Sequence, residues 1–369
     1  MEAVIDYARA LARDTMAHDP TKDDFYLRVM HGFSASFVFT MAVARVLHVM
    51  YPTRIPTQTD AEPERASKVP LPKAAREDLK RPAVAWPTLA VLAVAYALAG
   101  ASFYGYMTAR WRAPVSVSLS CVSKYLAFTA LHDAVHGAVV PAWPRANDAL
   151  GYVAGFLLMA PFQHFRQLHL CHHRYTSDHA DAHADTRDPD EWAGRSFLPL
   201  RWVTIPWRYV YFYFRHTADI RLALVEYGAL ALVNAGFTRA VWRLCAHDKL
   251  DAMLLCHTLP TFLTFAFLAF FFDWLPHRPH VVAARADPFR ASHVTALLGA
   301  VDWPLWTLAA LSQNMHAVHH AWPSVPWFMY GALWRKHGAE FTAKGTRTVP
   351  LFPPPGFFDE VASPHGKHD

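Results

Sequence analysis

The stretch HLCHHRYTSD at 169–178 sets three imidazoles, His169, His172 and His173, at i, i+3 and i+4. MHAVHHAWPS repeats the pattern with His316, His319 and His320, and HDAVHG holds His132 and His136 four residues apart. On a helix each of these spacings puts the rings on one face. Imidazole suits zinc, copper, iron and nickel. Eight such nitrogens exceed the three or four protein ligands that one zinc ion takes, so two metal ions are the economical reading. Iron is favoured, because a paired iron site can activate O2 against an unactivated C–H bond. Some of the 23 histidines would fall at helical spacing by chance. Two complete H-x-x-H-H triads, with an H-x-x-x-H at the end of an apolar segment, are a more specific signal.

Composition says what must hold these faces. Hydrophobic residues make up 53% of the 369 and charged residues 18%, below the roughly 25% charged residues of soluble domains. The net charge of +5 is modest. No long basic block or nucleic-acid module is visible, so a nucleic-acid partner is not expected. Cys121, Cys171, Cys245 and Cys256 form no C-x-x-C pair and read as small buried apolar groups. The N-terminal MEAVIDYARALARDTMAHDP lacks the apolar core of a signal peptide and is too acidic for a typical transit peptide.

PTLAVLAVAYALAGASFYGYM (87–107) is free of charge and, at about 20 residues, long enough to cross the hydrocarbon core. APVSVSLSCVSKYLAFTAL (113–131) follows; its Lys124 is costly in lipid unless it reaches the interface or a cavity. A weaker apolar stretch at 222–237 contains Glu226, and AMLLCHTLPTFLTFAFLAFFFDWL (252–275) dominates the C-terminal half. ALGYVAGFLLMAPF (149–162) is too short to span and reads as a buried or interfacial helix. Residues 293–311, broken at Asp302–Pro304, read as amphipathic or re-entrant. The expected fold is all-α: a polytopic membrane protein with four core transmembrane helices and a histidine-rich metal cap. Two spans precede the first histidine motif and two more precede the third, so all motifs return to one side. Arg65, Lys68, Lys73, Arg76, Lys80 and Arg81 precede the first span and place that side in the cytosol or stroma. Residues 1–84 form an N-terminal extension with a possible membrane-associated helix at 32–51 and a Pro-rich linker at 52–72. The membrane domain runs over 85–335 and a tail over 336–369.

Metal-bound imidazoles usually give their second ring nitrogen to an acceptor. Asp133 and Asp188 or Asp190 are candidates for that role, and Asn314 for holding a water near the metals. His179 and His183 sit in an acidic loop and read as solvated. The aromatic run Tyr209–Phe214 reads as an interfacial anchor, with a lipid-tunnel wall as the alternative.

Together HDAVHG, HLCHH and HAVHH resemble the three histidine boxes of the membrane fatty acid desaturase superfamily, over about 85–335. Within it, FDWLPHRPH (272–280) is similar to a segment shared by carotenoid β-ring hydroxylases and ketolases. QNMHAVHHAWPSVPW (313–327) is similar to the third box of the hydroxylases, and DTRDPDEW (185–192) to the DPD after their second box. The resemblance implies two iron ions with O2 as co-substrate, no catalytic side chain beyond the metal centre, and His277 as a ninth ligand. It implies a carotenoid or membrane lipid as substrate. A separate electron donor of ferredoxin or cytochrome b5 type is expected, since no haem segment or Gly-rich dinucleotide fingerprint is visible.

The leading expectation is hydroxylation of a carotenoid β-ring at position 3. An acyl-lipid desaturase or hydroxylase and a carotenoid ketolase are alternatives. A metal transporter or storage protein is the alternative outside enzymes; it would string its ligands through mid-membrane rather than gather them at span ends. The purified protein should hold about two metal ions per chain. His172→Ala or His319→Ala should lower that content and abolish turnover, by metal analysis paired with a product assay. Full metal content in either variant would overturn the assignment of the triads.

Overall fold

Segments this apolar leave water only if every backbone amide is satisfied within the segment, which the α-helix achieves. The computed structural model describes residues 20–51, 77–177, 204–217, 219–244, 249–297 and 299–358. Its helices are α1 (Pro20–Met50), α2 (Trp86–Met107), α3 (Ala113–Val135), α4 (Pro144–Leu158), α5 (Phe162–Tyr175), α6 (Ile205–His216) and α7 (Ile220–Leu244). They continue with α8 (Leu250–His277), α9 (Pro288–Ala291), α10 (Pro304–Ala309), α11 (His316–Ala321) and α12 (Tyr330–Ala343). Four of them, α2, α3, α7 and α8, are long and apolar enough to cross a membrane. They coincide with the four expected spans.

Proline stands in the first turn of α2, α3, α4 and α6, where its missing N–H removes a donor that would be unpaired anyway. The α2–α3 hairpin is closed by small hydroxyls. Ser102 Oγ donates to Ser116 O at 2.8 Å and Ser123 Oγ to Ala95 O at 2.7 Å. Small residues let the two backbones approach where lipid gives no hydrophobic drive to association. The core around α3 takes Leu92, Phe128, Leu131, Leu158, Phe162, Phe271 and Phe272. Helix α8 widens into π turns at Leu254–Thr258 and Ala269–Trp274 and ends as a 3-10 turn, Leu275–His277. Pro276 and Pro279 explain why it stops there.

Glu226, a carboxylate inside the apolar helix α7, has a structural task. Helix α5 begins without a capping side chain of its own. The two oxygens of Glu226 accept from Gln163 N at 2.5 Å and His164 N at 3.2 Å, so a neighbouring helix caps the helix that carries the second histidine motif. On the other side α1 lies along α6, with Phe37 stacked on Trp207 and His48 Nδ1 at 2.7 Å from Arg215 O.

The region 293–311 is not a re-entrant helix. Val294–Ala296 forms β1, which pairs in parallel with β2 (Thr348–Pro350) in the register Val294↔Thr348, Thr295↔Val349, Ala296↔Pro350. The packed unit thus runs past residue 335 to take in α12 and β2. On its other side β1 hooks onto the third motif: Thr295 N donates to Asn314 O at 2.7 Å and Ala317 N to His293 O at 3.1 Å. His293 N donates to Pro276 O at 2.8 Å, which ties the end of α8 into the same hub.

Glu226→Leu should destabilise the solubilised protein by about 1 to 2 kcal/mol, the cost of a lost cap, and lower its metal content. Glu226→Gln, which keeps one carbonyl oxygen, should fall between. Thermal unfolding of the variants side by side checks this; an unchanged Glu226→Leu would show that α5 needs no cap from α7.

Candidate metal centre

Each histidine of the three motifs stands on an element fixed by its own local chemistry. His132 lies in the last turn of α3 and His136 caps that helix. The chain then reverses through Gly137, whose φ of +65° suits glycine and few other residues. Buried Asn147 holds this reversal from α4: its Nδ2 donates to Ala134 O at 2.7 Å and its Oδ1 accepts from Val139 N at 3.2 Å. The sequence reading missed Asn147, which stands between Arg145 and Asp148 in WPRANDALG and carries no distinguishing signal there. His169, His172 and His173 lie on α5, and His316, His319 and His320 on α11.

The nine rings gather into one crowd with two foci. His132, His136, His169 and His319 each bring a nitrogen within 4.8 Å of the others, and so do His172, His277, His316 and His320. His173 stands between: its Nε2 is 2.8 Å from His319 Nε2 and 3.0 Å from His169 Nε2, while its ring stacks on His320 at 4.2 Å.

These nitrogens cannot satisfy one another. A ring nitrogen with one proton or one lone pair serves one close partner. Yet His319 Nε2 faces His132 (3.0 Å) and His173, and His169 Nε2 faces His136 (2.9 Å) and His173. In the other focus His320 Nε2 faces His172 (3.2 Å) and His316 (3.0 Å), and His316 Nε2 also faces His277 (2.9 Å). A cation at each focus removes the conflict, and all-nitrogen donors suit a transition metal. Protonation does not remove it: burial first, then the neighbouring imidazoles, hold His136, His169, His173, His316, His319 and His320 well below the usual imidazole range. The rings are therefore neutral and ready to ligate. Because the unfolded chain takes up those protons more readily, acid below about pH 6.5 works against the folded, metal-free cluster.

The second ring nitrogens fix orientation. His277 Nδ1 lies 2.9 Å from Ala291 O; a carbonyl only accepts, so Nδ1 carries the proton and Nε2 presents its lone pair to the focus. His319 Nδ1 meets Tyr330 Oη at 3.0 Å. His132 Nδ1 and His316 Nδ1 are buried with no partner among the described residues. Asp133, expected to orient an imidazole, instead accepts from Thr88 Oγ1 at 2.7 Å and Trp327 N at 3.3 Å. It fastens α2 to the turn after the third motif. Asn314 Nδ2 donates to Val301 O at 2.7 Å and Thr295 O at 3.3 Å, and its Oδ1 is buried without a partner among the described residues. Asp188 and Asp190 lie outside the described residues.

A narrow cleft of about 40 Å³ runs up to both foci, with His169, His172 and His316 in its wall beside Phe128, Phe165 and Phe272. Tyr209 lines it too, and its hydroxyl donates to Asp273 Oδ2 at 2.7 Å. The aromatic run it begins is not an interfacial anchor, since Phe212, Tyr213 and Phe214 are buried in the protein.

The description Fatty acid desaturase matches residues 109–351, a segment that contains every one of these histidines. The chain belongs to the fatty acid desaturase family. Two relatives named beta-carotene ketolase come from Paracoccus strains. The one from strain N81106 / MBIC 01143 is 30% identical over 205 residues, 54% of this chain and 70% of its own. The one from strain PC1 is 32% identical over 204 residues, with the same coverage. A third beta-carotene ketolase, from Haematococcus lacustris, is 24% identical over 203 residues, 54% of this chain and 55% of its own. This desaturase-family chain is thus an oxidoreductase of the oxygenase type and an integral membrane protein, and its two foci are consistent with a paired metal centre.

Arg278 and His280 follow His277 in the same turn and do not both face outward. His280 is only 5% exposed, and the Arg278 guanidinium lies over the Trp274 ring at 4.8 Å. The proline-bound turn folds back on the protein. His277 alone of this turn joins a focus. His277→Ala should therefore lose metal and activity while His280→Ala keeps both, by metal quantification with product assay. Equal behaviour of the two variants, or metal-replete His277→Ala, would remove His277 from the set.

Proposed function

We propose that this desaturase-family protein oxygenates the β-ring of a carotenoid at a di-iron centre. The observation that carries the reading is the cleft, whose apolar walls end on histidines of both foci. A lipid C–H bond can approach there and water has little to hold it.

One iron ion would be held by His132, His136, His169 and His319, the other by His172, His277, His316 and His320, with His173 between the two. Bound iron supplies O2-dependent oxidation of an unactivated C–H bond, with two electrons from a separate ferredoxin or cytochrome b5 type protein. The chain's own residues do the rest. Phe128, Phe165, Leu268 and Phe272 bind the apolar ring and exclude water. Ala291 O keeps the proton of His277 on Nδ1, and Tyr330 lies at hydrogen-bond distance from the second nitrogen of His319. Among the described residues, the Tyr209–Asp273 pair is the polar contact that lines the cleft outside the histidines.

The three relatives bear the name beta-carotene ketolase, which favours a ring carbonyl as product. The likeness of QNMHAVHHAWPSVPW to the hydroxylases' third box favours an alcohol at ring position 3. Both are oxygenations of the same ring. We assign the catalytic membrane domain to residues 85–335, after the extension 1–84, with the 336–369 tail contributing β2. The metal cap faces the cytosol or stroma, on the side of Lys80 and Arg81.

Expression in a β-carotene-producing host should yield new oxygen on the β-ring, read by pigment analysis. Carbonyls would assign ketolation and alcohols hydroxylation. Unchanged pigment from a metal-loaded protein, with new double bonds in membrane acyl chains, would overturn the carotenoid reading in favour of an acyl substrate.

A further inference from the structure

Eight residues before His132, about 12 Å further into the bundle at helical rise, Lys124 is 2% exposed. The metal centre does not use it. Its ammonium donates to the carbonyl of Leu157 and lies 3.4 Å from His257 Nδ1. The direction of this chain of contacts is fixed. Asn234 Nδ2 donates to Leu230 O at 2.9 Å, which turns Asn234 Oδ1 toward His257 Nε2 at 3.1 Å. That oxygen only accepts, so the proton of His257 sits on Nε2 and its Nδ1 accepts from Lys124. Both partners of Lys124 are neutral acceptors, and a lysine ammonium has three N–H donors. No carboxylate of a described residue pairs with it.

An ammonium within a membrane span is costly unless it is paired. Beside it lies a cavity of about 310 Å³, within the usual range for small-molecule sites. Lys124, His257, Ser120 and Ser123 border it, and aromatic walls complete it: Phe237 meets Phe103 edge-on at 5.3 Å, Phe156 at 5.9 Å and His257 at 5.5 Å. A buried amine with no carboxylate beside it among the described residues, bordering an apolar chamber, suits a ligand with one small acidic head and an apolar body. Phosphate headgroups are too bulky and too strongly hydrated for this depth. A carboxylate on a hydrocarbon chain suits both the donor and the walls.

We propose that this cavity is a second ligand site, which binds a fatty acid with its carboxylate on Lys124 and its chain against Phe103, Phe156 and Phe237. The site is distinct from the cleft at the histidines and does not depend on which ring product the enzyme forms.

The test is titration of the metal-loaded, detergent-solubilised protein with cis-parinaric acid, a fluorescent fatty acid. One saturable site per chain is expected. Lys124→Met, and the methyl ester of the probe on the unmodified protein, should each bind at least about tenfold more weakly, as for a lost charged hydrogen bond. Gly100 also borders the cavity, and a Cβ there meets open space, so Gly100→Phe should displace the probe with Lys124 intact. Metal content of Lys124→Met should be unchanged. Equal affinity for acid and ester, or undiminished binding in both variants, would overturn the site. Displacement of the probe by β-carotene at the histidine cleft would overturn it as well. Failure of ring oxygenation with this binding pattern intact would count against the proposed reaction and leave the site standing.

Discussion

Nine imidazoles from four separate parts of the chain must converge on two foci a few ångströms across, and much of the fold serves to bring them there. The nitrogens approach to between 2.8 and 3.2 Å in a setting where burial keeps the rings outside the membrane spans from taking up protons. The cluster is held by contacts that touch none of its nine rings: Asn147 on the turn after α3, Glu226 on the first amides of α5, and β1 between the end of α8 and the start of α11. Each fixes a backbone, so the rings have little freedom left to part. That is the preorganisation a metal site needs, since rings already in place lose less entropy when a cation arrives.

The same economy explains the charged residues in the apolar helices. Glu226 replaces a cap that α5 lacks. Asp133 joins Thr88 to Trp327 and so ties a spanning helix to the segment behind the third motif. Intramembrane charge here does joinery close to the metal cap, apart from Lys124, whose surroundings point to a ligand.

Much of this was legible in the sequence. The four spans follow from uninterrupted apolar length, and the triads from i, i+3, i+4 spacing, because both are local periodicities. His277 was not legible from spacing, since it stands alone between two prolines; only the family likeness pointed to it. The role of Asp133 was read too simply. A carboxylate beside a ligand histidine invites an orienting role, yet its two oxygens are taken by Thr88 Oγ1 and Trp327 N. The β1–β2 pair escaped notice because three residues a side carry no alternation pattern and parallel strands leave no hairpin signal. The segment LPHRP does not separate ring hydroxylases from ketolases, since it is common to both groups of enzymes.

The strand β2 gives the metal cap an order of construction. The contact between His277 and His316 spans 39 residues, whereas that between His132 and His319 spans 187. Contacts that close long loops bear their entropy cost before they return any stability. During synthesis the focus around His277 and His316 can begin to gather once His316 follows the last span, but its backbone hub stays open until Thr348–Pro350 emerges to pair with Val294–Ala296. A ribosome making this chain therefore completes its spanning helices well before Thr348–Pro350 arrives to close the metal-binding pocket.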